Sequence, residues 1–366
     1  MKKILHISYG NESIGGGVYF YLKDFIKVQK DSGMDCHWVI IKNNNYVLKK
    51  KELLNKIIKI DPNIIHIHGI WTLSTRIIPQ IKKINKNIIV SPHGMINIES
   101  LKKSYLERNI SLQYLKKKLY LFFIEKKNLN QIKYFHALTE SESKEIRRIF
   151  PNKPIRVIST GFKRIHTKVN SEANKKLVNI FKKPNKILLF LGRLDRQKGL
   201  NELITAWNQL VNQAELYNWW LLIAGFGELK KTVISNAIKS NSRIIFNGPT
   251  FGEEKNFILK NSKGFILPSY NEGLPITVLE ALSFKTTCLI SENCNMNNLL
   301  NSNISLKVNI NKYENNIKEV LIDLFKLSEK DLDKREKLGI RYLENYHKWD
   351  KIISETNNLY NDLYND

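Results

Sequence analysis

Several kinds of segment are missing from this 366-residue chain. No apolar run approaches the roughly 20 residues that a membrane-spanning helix needs. No secretory leader is legible either: Met1-Lys2-Lys3 runs straight into the strand-like Ile4-Leu5-His6-Ile7-Ser8, with neither a long apolar region nor a small-residue cleavage site, so a cytoplasmic location is expected. Cysteine is scarce. Cys36, Cys288 and Cys294 are odd in number, lack zinc-like spacing and read as reduced structural thiols. Acidic residues are in short supply as well: 34 Asp and Glu face 59 Lys and Arg, a net charge of +25, which calls for an anionic partner or surface. Nucleic acid, acidic lipid headgroups and phosphorylated substrates all qualify, as does a purely compositional origin in an AT-rich genome, since much of the excess is Lys in a chain rich in Asn and Ile. No RNP-like, zinc-finger or helix-turn-helix pattern supports nucleic acid as the partner.

What is present is an alternation. Hydrophobic residues make up 42% and aromatics 10%, as in a soluble globular protein. The length exceeds the usual ceiling of about 250–300 residues for one core, so two domains are expected. Short β-branched runs recur at Ile4–Ile7, His37–Ile41, Ile64–His68, Ile88–Val90, Tyr134–Ala137 and Ile155–Ile158, with amphipathic stretches such as Tyr19–Lys30 between them. The chain turns polar around 167–185, and the pattern restarts at Ile187–Leu191, Trp220–Ala224, Ile244–Phe246, Gly264–Leu267 and Thr287–Ile290. Such alternation is the signature of βαβ units around parallel sheets. It predicts an α/β chain of two doubly wound domains joined by a linker at 167–185, followed by a charged helical tail whose Asp331-Leu332-Asp333 reads as a solvated helix face.

In parallel sheets ligands gather beyond the carboxyl ends of the strands, so the loops there carry the candidates. Gly15-Gly16-Gly17-Val18 follows the first strand and allows backbone amides to approach a phosphate or sugar, although the G-x-G-x-x-G pattern is absent. In Gly192-Arg193-Leu194-Asp195-Arg196-Gln197-Lys198-Gly199, Arg193 and Lys198 can clamp a diphosphate from two directions and neutralise charge on a leaving group. In Ser269-Tyr270-Asn271-Glu272-Gly273-Leu274-Pro275-Ile276-Thr277-Val278-Leu279-Glu280-Ala281, Pro275 suits a first helical position. Glu272 then precedes the helix and Glu280 lies within it, beside free amides at about Leu274 to Thr277. Carboxylates accept bidentate hydrogen bonds from vicinal hydroxyls, so one can hold a sugar ring and the other a ribose.

Together, Glu272-x7-Glu280, Arg193 with Lys198, the N-terminal glycines and Ser91-Pro92-His93-Gly94-Met95 resemble the bacterial members of glycosyltransferase family 4, almost end to end. The resemblance implies a GT-B fold: two Rossmann-like domains facing a central cleft, with the C-terminal helix crossing back to the first. The implied boundaries are an acceptor-binding domain at 1–166, the linker at 167–185, a nucleotide-sugar-binding domain at 186–345 and the returning helix at 346–366, which the segment Tyr346-His347-Lys348-Trp349 resembles. It further implies that Glu280 binds the ribose and Glu272 the transferred hexose. Arg193 and Lys198 would hold the diphosphate with amides at Gly273, Leu274 and Pro275 and the loop of Gly16 and Gly17. His93 would lie near the reacting centre, Asn247 to Phe251, including Gly248, against the base, and His68 and Trp71 on the acceptor side.

The sequence departs from the family in two places. Ser159-Thr160-Gly161 replaces the usual Pro-Asn-Gly turn, and Ser283–Thr287 lacks the usual Gly-x-Pro.

The implied chemistry is metal- and cofactor-free transfer of a hexose, with retention, from a UDP- or GDP-sugar to a lipid-linked glycan acceptor in surface polysaccharide assembly (O-antigen, capsule or exopolysaccharide). Front-face attack is expected. A double displacement through Glu272 ranks lower, because the matched role of Glu272 is hydroxyl binding. From Leu101 to Asn130, Lys102-Lys103, Lys116-Lys117-Lys118 and Lys126-Lys127 interleave with Tyr105, Tyr114, Leu115, Leu119, Phe122 and Phe123, which suits peripheral binding to the anionic inner face of a membrane. Ordinary helices with solvated lysines and a buried aromatic side fit the same pattern. A GT-B nucleotide-sugar 2-epimerase is the alternative enzyme, and a basic nucleic-acid-binding protein the remote one.

Overall fold

The computed structural model describes residues 2–10, 16–41, 46–96, 111–162, 181, 186–211, 218–237, 243–310 and 315–365. The chain divides into two compact units, Met1–Phe162 with His347–Asp366, and Lys163–Tyr346. Most of the linker expected at 167–185 lies outside the described residues, as do Gly15, Lys102, Lys103 and Tyr105.

The first unit holds β1 (Lys3–Tyr9), β2 (Asp35–Ile41), β3 (Ile64–His68), β4 (Ile88–Ser91), β5 (Tyr134–Ala137) and β6 (Ile155–Val157), all parallel, in the order β2-β1-β3-β4-β5-β6. Between them run α1 (Gly16–Asp31), α2 (Tyr46–Ile60), α3 (Leu73–Arg76), α4 (Ile78–Ile84), α5 (Ser111–Tyr120), a π-helical turn (Leu121–Glu125), α6 (Lys126–Leu129) and α7 (Glu140–Ile149). Strand side chains alternate between faces. One face carries Leu5, Ile7, Ile65, Ile67, Val90 and Phe135 into a core with Leu53, Ile57, Ile78, Ile81 and Ile146. The opposite face carries His6, His66, His68 and His136, all at 0–1% exposure.

The second unit holds β7 (Lys186–Leu191), β8 (Trp219–Ala224), β9 (Ile244–Gly248), β10 (Gly264–Leu267), β11 (Thr287–Ser291) and β12 (Leu306–Val308), parallel and ordered β12-β11-β10-β7-β8-β9. Its helices are α8 (Leu200–Leu210), α9 (Lys230–Ala237), α10 (Gly252–Asn261), α11 (Ile276–Ser283), α12 (Asn297–Asn301), α13 (Ile317–Lys326) and α14 (Glu329–Tyr346), after which α15 (Trp349–Asn365) belongs to the first unit. Counted within the unit, this is the 3-2-1-4-5-6 order of nucleotide-binding folds, with its switch point between β7 and β10. In the first unit the order reverses between β1 and β3. The strands follow the apolar runs of the sequence, with β12 the exception: three residues, Leu306-Lys307-Val308, are too short a run to read as a strand.

The tail is two helices, with His347 and Lys348 between them. Asp331 is the third residue of α14 and closes a capping box with Ser328: its carboxylate accepts from the Ser328 hydroxyl at 2.5 Å, and its N–H donates back to that hydroxyl at 3.2 Å. His347 Nδ1 donates to the Thr160 carbonyl (2.9 Å), and Phe162 N–H donates to the His347 carbonyl (2.6 Å). A Cβ at Gly161 would stand 2.2 Å from the Trp349 ring, so the turn that departs from the family pattern is the one that lets the tail dock. Beyond it, Trp349 stacks on Phe25 of α1 at 6.1 Å, and the Tyr360 hydroxyl meets His66 Nδ1 at 2.9 Å. Thus α1 and α15 cover the histidine face, and the sheet is covered on both sides.

Candidate functional site

At the switch point of the second sheet the loops after β7 and β10 meet through backbone. Asp195 caps the 3-10 turn Arg196–Lys198 by accepting from Lys198 N–H (3.2 Å), and Gly199 closes the turn at φ +67°. A Cβ there would lie 2.0 Å from the Pro268 carbonyl oxygen, so only glycine permits the approach. Tyr270 N–H donates to the Gln197 carbonyl (2.8 Å), and the Gln197 amide donates to the Asn271 carbonyl (3.0 Å). Glu272 is thereby delivered beside Lys198. The Lys198 amine and the Ser269 hydroxyl both donate to Glu272 Oε1, each at 2.5 Å, and the two charged side chains keep 15% and 11% exposure. A third loop, after β11, fixes the Glu272 backbone: Glu272 N–H donates to the Asn293 carbonyl (2.9 Å) and the Asn295 amide to the Glu272 carbonyl (2.5 Å).

Pro275 is the N-cap of α11, not its first residue, so the helix starts one position later than its sequence suggests. The free amides of its first turn begin at Ile276. Glu280, buried on α11, pairs with Lys255 of α10 at 2.6 Å. Phe251 is the N-cap of α10 and keeps 57% exposure, while the Gly248 carbonyl accepts from Gly225 N–H (2.7 Å). Arg193 is exposed and turns to Asp195 Oδ2 at 3.3 Å. All three cysteines are free and buried; burial pushes the Cys294 thiol up to about 12.

In the first unit, His93 occupies the turn after β4 at φ +54°. The turn is anchored by Glu142, which accepts from Gly94 N–H (2.6 Å) and Leu138 N–H (2.8 Å), while Thr139 caps α7. Burial raises the Glu142 carboxyl. Trp71, also at positive φ (+68°), donates from its backbone to Glu125 (2.8 Å) and from its indole to the Met95 carbonyl (3.0 Å). His68 is buried behind His93: its Nδ1 meets His93 Nε2 at 3.0 Å and its Nε2 meets His6 Nδ1 at 2.9 Å. His66 Nε2 reaches the Ser91 hydroxyl at 2.8 Å, and His136 Nε2 donates to the Ile158 carbonyl at 2.8 Å. Burial depresses every member of this array, to about 3 for His6 and His93, about 4 for His136, and well below the usual value for His66 and His68. Neutral imidazoles are the metal-binding form, and His6, His66 and His68 bring one ligand atom each within 4.8 Å of one another. Two of those rings already hydrogen-bond to each other.

Two family descriptions match most of the chain: "Glycosyl transferases group 1" over residues 171–341 and "Glycosyltransferase Family 4" over residues 32–163. The chain belongs to the group 1 glycosyltransferase family. Relatives include uncharacterized glycosyltransferases of Haemophilus influenzae, 30% identical over 112 residues and 30% of either chain, and of Methanocaldococcus jannaschii, 26% identical over 164 residues, 42% of this chain and 41% of the relative. The aligned stretches span well under half of those relatives' lengths. The sucrose-phosphate synthase of Thermosynechococcus elongatus superposes with a TM-score of 0.75 at 17% identity, covering 99% of both chains. The two six-stranded units in one chain are the GT-B fold.

In this group 1 glycosyltransferase the residues singled out by sequence fall at strand ends. Lys198 and Glu272 are in direct contact, and Gly273, Leu274 and Pro275 lead from them into α11 and Glu280. Gly16 and Gly17 form the first turn of α1. His68 and His93 are joined, whereas Trp71 reaches their neighbourhood only through Met95. With both ring nitrogens engaged and 1% exposure, His68 is buried behind His93. Sequence reasoning missed Ser269, Lys255 and Asn295, and the histidines His6, His66 and His136. It also missed Glu142, although Thr139-x-x-Glu142 has the spacing of a capping box.

Proposed function

We propose that the chain is a retaining hexosyltransferase that takes its sugar from a UDP- or GDP-sugar held by the second unit and delivers it to a lipid-linked glycan acceptor in surface polysaccharide assembly. The observation that carries the reading is the Lys198–Glu272–Ser269 cluster at the switch point of a sheet with the strand order of nucleotide-binding folds, next to the N-terminus of α11. An ammonium group already held by a carboxylate can exchange that partner for a diphosphate, leaving the carboxylate to accept from sugar hydroxyls. Lys198, Arg193 and the first-turn amides of α11 would then stabilise charge on the departing nucleoside diphosphate without a metal. Glu280 would take the ribose, releasing Lys255. His93 would face the transferred sugar.

The acceptor reading draws on α5 and the turn that follows. Leu112, Leu115, Leu119, Phe122 and Phe123 form one exposed stripe, with Phe123 at 72%, flanked by Lys116, Lys117, Lys118, Lys126 and Lys127. An apolar stripe edged by lysines suits an anionic lipid surface, each Lys contributing about 1 kcal/mol. Among the described residues no helix is long and apolar enough to cross a membrane. The expected result is salt-sensitive binding to anionic vesicles, lost in Phe122→Ser/Phe123→Ser; equal binding to neutral vesicles would sink it.

The donor reading is tested by thermal shift of the purified protein with UDP, GDP and their sugars in EDTA. One nucleotide series should stabilise the wild type and fail with Glu280→Ala. Conversion of a nucleotide sugar to its 2-epimer without acceptor would instead favour the epimerase.

A further inference from the structure

The helix that carries the exposed apolar stripe has a second, inward side. Between α5 and α6 the π-helical turn Leu121–Glu125 widens the coil by one residue, with Lys126 N–H reaching back to the Leu121 carbonyl five positions earlier. Phe122 and Phe123 stay outside at 50% and 72% exposure, whereas Leu121 and Glu125 are buried. A carboxyl group taken out of water needs a hydrogen-bond partner, and Glu125 Oε1 accepts from the Trp71 backbone N–H at 2.8 Å. Burial raises the Glu125 carboxyl, against the pull of Thr75, the Trp71 N–H and Arg76. The same helix meets the β3–α3 segment three more times. The Trp71 ring lies 6.1 Å from the Tyr120 ring and 5.7 Å from Lys117 Nζ, and the Asn128 amide donates to the Arg76 carbonyl at 3.2 Å.

Trp71 stands at φ +68°, a conformation that a bulky residue keeps only where its surroundings over-determine it. Its indole in turn donates to the carbonyl of Met95, two residues past His93, which is itself at φ +54°. A continuous set of contacts therefore runs from the exposed stripe through Glu125 and Trp71 to the turn after β4. We propose that Glu125 couples lipid binding to the transfer site, given the reading of that stripe as a lipid face. Seating the stripe on an anionic membrane keeps the helix packed on the β3–α3 segment, and so steadies the Trp71 turn and, through Met95, the turn that carries His93. Glu125 is a positioning residue in this scheme and touches no substrate.

Hydrogen exchange of the full-length protein, with and without vesicles of equimolar phosphatidylcholine and phosphatidylglycerol, reads the coupling at peptides covering Ile70–Thr72 and His93–Met95. Lipid that binds only the packed helix, at about ten times its Kd, should slow exchange at both peptides by about tenfold. Glu125→Gln keeps an oxygen for the Trp71 N–H and should respond as wild type does. Glu125→Ala leaves the stripe and its lysines intact, so it should sediment with the vesicles like wild type while both peptides stop responding. Glu125→Asp, one methylene short of Trp71, makes the same comparison if Glu125→Ala does not fold. Wild type that binds the vesicles without slowing at both peptides, or an Ala or Asp variant that responds as wild type does, overturns the coupling and leaves the lipid-face reading standing. No binding to the vesicles overturns both. The transferase reading stands or falls separately, because exchange is read without nucleotide or acceptor.

Discussion

Lowering the pH from 7 to 5 should destabilise the first unit and leave the second almost untouched. His6, His136 and His347 have 0–2% exposure, and burial holds them neutral down to about 3, 4 and 4, against 6.5 in an unfolded chain. Their folded values lie below the unfolded one, so the unfolded chain takes up protons first. Stability is complete above pH 6.5 and falls as pH drops towards the folded values. At pH 5 each group contributes a loss of about 2 kcal/mol, from roughly 1.5 pH units at about 1.4 kcal/mol each. Three groups make about 6 kcal/mol, comparable with the whole stability of a domain at about 5–15 kcal/mol. His66 and His68 act in the same direction. Glu125 and Glu142, whose carboxyls burial raises, act with the opposite sign but are outnumbered. Hydrogen exchange at pH 7 and 5, corrected for intrinsic rates, reads both units in one sample. Peptides from β1, β3, β5 and α15 should lose protection, while those from β7 and β10 should not, since the described residues of the second unit contain no histidine. Equal loss in both units, or none in either, would refute the reasoning.

Other expectations follow from single contacts. Lys198→Ala should cut kcat by about 10²–10³ through lost stabilisation of the leaving group, measured with saturating donor, whereas a drop under fivefold would remove Lys198 from the chemistry. Gly199→Ala puts a Cβ against the Pro268 carbonyl at positive φ and should cost the second unit about 2 kcal/mol or more in denaturant unfolding; Gly192→Ala, with nothing within 4 Å of its Cβ, should cost little. Gly161→Ala should displace Trp349 and raise proteolysis of α15, and a tail as resistant as wild type would argue against Gly161 as the docking point.

The sequence by itself determined the two-unit α/β plan and the strand-end location of the candidate residues. Both follow from local pattern: apolar runs such as Ile187–Leu191 form buried parallel strands, and Gly199 and Pro275 mark turns. Glu272 and Lys198 could be nominated from spacing, but 74 residues separate them, and only the β7–β10 switch point brings them to 2.5 Å. The histidines were the least legible feature. His66 and His68 read as part of an apolar run, and nothing local shows that they share a face with His6, 60 residues earlier, and with His136. That face takes its character from strand order and from α15, which returns nearly 300 residues later to place the Tyr360 hydroxyl on His66. Pairings between distant segments depend on how the sheet closes and how the tail docks, and local sequence period carries no record of either.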